Sequence, residues 1–230
     1  MMPTKSHKEL YREAFLKVKA DRGTPYDVSQ EELDAMSTFS GRNFGPFVSQ
    51  SQATKEVVEH NKPSRKPSSA ELAAIQRLRS ALKDSLWSPD IVIKAFHDLD
   101  MIFFLGRLHH NVQFQWRTPD AFVTHVQPED FALGATVGTG RVGQMSIMLH
   151  AHNLLLRDVI RDPWMHMWST ALHEMCHAYE GVRAQTGMRA GHQMDFGLKI
   201  QAVHERAQGL FGLWAIVPAG ELARCGLYQV

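Results

Sequence analysis

Cysteine is nearly absent from this sequence, with Cys176 and Cys225 the only two in 230 residues. Two thiols cannot build a disulfide framework or a four-cysteine zinc ribbon, so a bound metal has to be held mainly by histidine and carboxylate. Long apolar runs are missing as well. No window approaches the roughly 20 apolar residues that span a bilayer, and the opening stretch "MMPTKSHKEL" lacks the apolar core of a signal peptide. The expectation is a nuclear or cytoplasmic protein with no membrane partner. Nor is there a surplus of one charge: 25 Lys and Arg against 24 Asp and Glu leave a formal net charge of +1, which by itself favours neither nucleic acid nor membrane. No internal repeat is visible, which excludes a solenoid.

What is present suffices for a core, since 44% of the residues are hydrophobic and only 21% charged. Ser6 and Glu9 stand at capping-box spacing, and Leu10, Ala14 and Val18 recur at helical intervals, predicting a short helix over 7–20. From Thr24 to Pro67 the chain is polar and without sustained period, and it closes in "NKPSRKPSS", the composition of a mobile linker. Residues 1–67 therefore read as an N-terminal extension, 68–212 as one domain and 213–230 as a C-terminal tail.

Within that domain Ser68 and Glu71 repeat the capping box, ahead of Leu72, Ile75, Leu78, Leu82 and Leu86 on one helical face. Ser88 and Pro89 open a second helix, with Val92, Phe96, Leu99 and Phe103 on its buried side until Gly106. "NVQFQWR" over 111–117 alternates like a half-buried strand. "ALGATVGTGRVGQMSIML" over 132–149 reads as two further strands about glycine-rich turns, predicting a small antiparallel sheet. Asp162 and Pro163 start a helix through Trp164, Met167 and Leu172 that Gly181 can end, and a last helix runs from about Gly191 to Leu210. The predicted class is α+β.

Chemistry concentrates in "LHEMCHAYEG", residues 172–181. At about 100° per residue, His173 and His177 share one helix face a turn apart, so two imidazoles can meet one zinc ion. Glu174 projects beside them, placed to take a proton from the water such an ion activates. This is the mechanics of the H-E-x-x-H signature. A third ligand is required. The metzincin continuation is excluded because Glu180 and Arg183 occupy its glycine and histidine positions. Glu205 is available as a gluzincin-type ligand, and His192 in "RAGHQMDFG" is the better placed, opening the next helix with Phe196 one turn on to seat it.

Taken together, "FHDLDMIFFLGRLHHNVQFQW", "MSIMLHAHNLLLR", "ALHEMCHAYEG" and "GHQMDF" occur in the order of blocks found in SprT-like zinc metalloproteases. Over about residues 70 to 210 the chain resembles that Spartan-related family. The resemblance implies a zincin-like helical domain with a small sheet over the active-site helix, one Zn2+ held by His173, His177 and His192, and Glu174 as catalytic base. It implies a metalloendopeptidase that cuts proteins bound or crosslinked to DNA. One departure is plain: no cysteine pairs follow Phe196, so the second zinc module common in relatives is missing. DNA as a partner then requires a cationic stripe, for which Lys62, Arg65, Lys66, Arg77, Arg79, Lys83 and Arg107 are the candidates. The rival expectation is a non-catalytic zinc-binding interaction module of the same fold, its open position closed by Cys176, His204 or Glu205. Cys176 fits better as a small buried apolar group. For the oxyanion, Tyr179, Arg183 and His166 are weak candidates. The strand near Met145 to Leu149 either receives an extended substrate by edge pairing or simply completes the sheet.

Overall fold

The computed structural model describes residues 12, 13, 16, 46–84, 90–119, 122, 132–140, 142–156, 163–184, 193–212 and 225. Its regular elements are α1 (Gln50–Asn61), α2 (Ser69–Asp84), α3 (Asp90–Lys94), α4 (Phe96–Phe103), β1 (Val112–Arg117), β2 (Gly134–Gly138), β3 (Met145–His150), α5 (Ala151–Leu155), α6 (Pro163–Arg183) and α7 (Met194–Phe211). Helices around one small sheet make the class α+β.

The long helix α6 is the centre of the packing. Met167, Trp168, Ala171, Leu172, Met175, Cys176, Ala178, Tyr179 and Val182 are each at most 1% exposed. A helix apolar on most of its circumference has to be enclosed, and α6 lies between β2 and β3 on one side and α1 and α7 on the other. It does not stop at Gly181. That glycine lies within the helix, where a Cβ would run into the Met145 side chain of β3, reaching Cγ at 2.9 Å. Gly181 thus serves the close approach of sheet and helix.

The sheet is mixed, which corrects the antiparallel expectation. Its order is β1-β3-β2, with β1 parallel to β3 from Val112↔Met145 to Arg117↔His150, and β2 antiparallel to it from Gly134↔Leu149 to Gly138↔Met145. The glycine-rich hairpin was legible: Gly140 and Gly143 turn it at φ 85° and 75°. The parallel pairing was not, because it is made across an intervening strand. Every residue of β3 is buried, as a central strand covered on both faces must be.

The linker expectation fails for residues 46–67. Ser49 caps α1 by accepting from the Gln52 amide at 3.2 Å, and Ala53 and Val57 are wholly buried against the core. Polar contacts dock the rest. Asn61 Nδ2 donates to the Val57 and Phe103 carbonyls at 2.8 and 2.9 Å, and Glu56 accepts from the Tyr179 hydroxyl at 2.8 Å and from Arg183 at 2.8 and 2.9 Å. Of the helix expected over 7–20, only Arg12, Glu13 and Leu16 are described, and these are helical and exposed. Leu86, Ser88, Pro89 and Asp162 lie outside the described residues; Leu72, expected in the core, is 47% exposed while Glu71 beside it is buried. In the C-terminal tail Cys225 is described, buried in the core.

The capping box of α2 forms in both directions: the Ser68 amide donates to Glu71 at 2.9 Å, and the Glu71 amide to Ser68 Oγ at 3.2 Å. The same carboxylate accepts from Arg65, and from Arg206 of α7 at 2.9 Å. Burial alone would raise the Glu71 carboxyl, but these donors hold it down to about 2. A folded pKa below the unfolded one adds stability above the unfolded value of about 4.3, lost as pH falls through the folded value. Glu71→Gln should therefore cost about 3 kcal/mol at pH 7, with the gap to the native chain narrowing between pH 4.5 and 2 in denaturant melts.

Candidate metal centre

Near the middle of α6, His173 and His177 stand with ring centroids 5.0 Å apart and planes inclined at 64°. Both are half-buried. Two imidazoles on one tetrahedral zinc, with N–Zn bonds of about 2 Å, have ring centres about 5 Å apart, so the pair fits that ion. Phe196, from the first turn of α7, closes over both rings. It is stacked on His177 at 4.2 Å and 21° and lies edge-on to His173 at 4.9 Å and 61°.

Glu174 meets the sheet and is 6% exposed. Thr136 of β2 donates its hydroxyl to Glu174 Oε2 at 2.7 Å, and that hydroxyl also lies 3.0 Å from the Glu174 carbonyl oxygen. Two residues back on the same face of the strand, Gly134 has no room for a side chain: a Cβ would come within 2.6 Å of Thr170 Cγ2 and 2.9 Å of Glu174 Cγ. Sequence reasoning missed both residues, although a glycine inside a strand is a known sign of close backbone approach. The result is a carboxylate beside the histidine pair, oriented by the strand.

His192 lies outside the described residues. It precedes Phe196 by four positions, and Phe196 touches both imidazoles, so the chain enters α7 beside the pair. Among the described residues no three His, Cys, Asp or Glu side chains form a group able to hold a metal. Glu205 does not supply a third donor. It is exposed on the outer face of α7 and accepts from Gln201 at 2.9 Å. His204 lies eight residues beyond Phe196, about 12 Å along the helix, and Cys176 is buried in the core.

Two of the oxyanion candidates are used elsewhere. The Tyr179 hydroxyl and the Arg183 guanidinium both bind Glu56 of α1, and burial with the nearby Glu56 charge pushes the Tyr179 phenol well above its ordinary range. His166 is seven residues before His173, about 10 Å up the helix. The expected substrate strand is also corrected: β3 is central, with β1 and β2 on its two sides, so its hydrogen-bonding edges are taken. Among the described residues the outer strand next to Glu174 is β2. As for the cationic stripe, Lys62 pairs with Glu59, Arg65 with Glu71, Arg77 with Asp98 and Arg107 with Glu56, while Arg79 donates to the Leu210 carbonyl. Lys66 and Lys83 are exposed. No described helix is long and apolar enough to cross a membrane.

No family model, curated protein or solved structure matches this chain.

The tight seat of β2 on α6 can be tested directly. Gly134→Ala should destabilise the fold by about 1–3 kcal/mol through overpacking against Thr170 and Glu174, read as a lower denaturation midpoint; an unchanged midpoint would refute the contact.

Proposed function

We propose that the chain is a zinc-dependent endopeptidase of the SprT-like, zincin-like kind. The observation that carries this reading is the His173–His177 pair at 5.0 Å with Glu174 beside it, its carboxylate held by a hydroxyl from the outer strand. His173 and His177 would hold the ion, with His192 as third ligand. Zinc bound there supplies acidification of a water molecule and polarisation of the scissile carbonyl.

The chain's own residues do the rest. Glu174 accepts the proton of the attacking water and returns it to the departing amine. Its burial keeps bulk water from competing, and the Thr136 hydroxyl on Oε2 fixes the carboxylate's direction. Phe196 restrains both imidazoles by packing on their faces and edges. An extended peptide adding to β2 by main-chain hydrogen bonds would lie alongside this carboxylate, a mode that selects little by side chain. That its substrates are proteins on DNA rests on the family resemblance alone, since most of the candidate cations are spent on ion pairs.

The tests separate metal from chemistry. Glu174→Gln should keep one zinc per chain while cleavage of casein, or self-cleavage, falls at least about 100-fold. His173→Ala and His177→Ala should lose the metal as well. Zinc retained in those two, or full activity in Glu174→Gln, would overturn the assignment. Binding to single-stranded DNA, if it occurs, should weaken as salt is raised.

A further inference from the structure

A second histidine cluster lies away from α6, where α4 and the loop before β1 meet. Asp100, on α4, is wholly buried. Its Oδ2 accepts from the amides of Leu108 and His109, each at 2.9 Å, and faces His109 Nδ1 at 3.3 Å. An imidazole that donates its Nδ1 proton to this oxygen keeps its lone pair on Nε2. That is how a carboxylate behind a histidine prepares it to bind a metal. His97, exposed on α4, approaches the same ring with centroids 4.5 Å apart and planes at 82°. His110 lies against the His109 ring at 3.5 Å, its plane tilted by 48°.

The separations sort these rings. With nitrogen–metal bonds of about 2 Å, two imidazoles at right angles about one ion have centres about 4.5 Å apart, whereas a tetrahedral pair stands wider, at about 5 Å. At 4.5 Å the His97 and His109 rings are close enough to share one ion. At 3.5 Å, His110 is too close to His109 to share its ion and acts as packing for it. We infer that His97 and His109, oriented by Asp100, form a two-histidine site for a tetragonal divalent ion, copper(II) or nickel(II), completed by water. Imidazole donors suit these late first-row ions, and copper(II) binds such ligands most tightly. The inference is independent of the zinc protease reading.

Copper(II) is the probe, added to the full chain already loaded with zinc. Electron paramagnetic resonance of the native chain should show one tetragonal copper with hyperfine splitting from two imidazole nitrogens. His97→Ala, an exposed change that leaves the fold intact by circular dichroism, should weaken copper binding at least tenfold, and His109→Ala likewise. In His177→Ala the signal should persist. A copper signal abolished by His177→Ala, or unaffected by His97→Ala and His109→Ala, overturns the site whether or not the chain proves to be a protease.

Discussion

Burial of α6 on almost every side constrains the rest of this structure. A helix apolar on most of its circumference that also carries a histidine pair, Glu174, Glu180 and Arg183 needs partners all round, and those partners satisfy these groups as well as cover apolar surface. The sheet covers one side and supplies Thr136 to Glu174. On the other side α1 brings Glu56 to Tyr179 and Arg183, and α7 brings Lys199 to Glu180 and Phe196 to the imidazoles. The site is thus assembled by the elements that enclose the helix.

The buried pair Glu180–Lys199 shows how costly groups are accommodated. Burial raises the Glu180 carboxyl, and the adjacent Lys199 ammonium, with a hydrogen bond from Gln50, opposes that shift. Lys199 is wholly buried and reaches Thr54 of α1 at 3.5 Å as well. Such a pair adds little net stability against an apolar alternative, but losing one partner leaves a stranded charge. Its geometric consequence is a defined register between α6 and α7, one turn from where Phe196 meets His177. Across the molecule, Glu71 does similar service, gathering Arg65 and Arg206 onto the start of α2.

Legibility from sequence followed the kind of force involved. Elements stabilised by apolar burial at a regular period were readable: α2, the three strands and α6 fell close to where periodicity placed them, whereas the single helix expected from Ser88 to Gly106 is divided at Ala95 into α3 and α4. The capping box at Ser68 was readable because it is local. Docking by polar contact was not, and α1 is the example: "QSQATKEVVEHN" offers two wholly buried aliphatic side chains, and its attachment runs through Glu56, Asn61 and Thr54 to partners more than 40 residues away. Gly181, read as a stop, is a contact with β3, a distinction invisible without Met145 in place.

The order of residues in one stretch determined that His173, Glu174 and His177 would be grouped, because helical geometry fixes what neighbours four apart can share. It also determined where α2 begins, since caps act over three or four positions. Only the tertiary structure decided which strand lies beside Glu174, that β3 is internal and β2 outer, and that Thr136 rather than a helix neighbour orients the carboxylate. Those depend on a parallel pairing made across an intervening strand and on close approach at two glycines, and no local pattern encodes either.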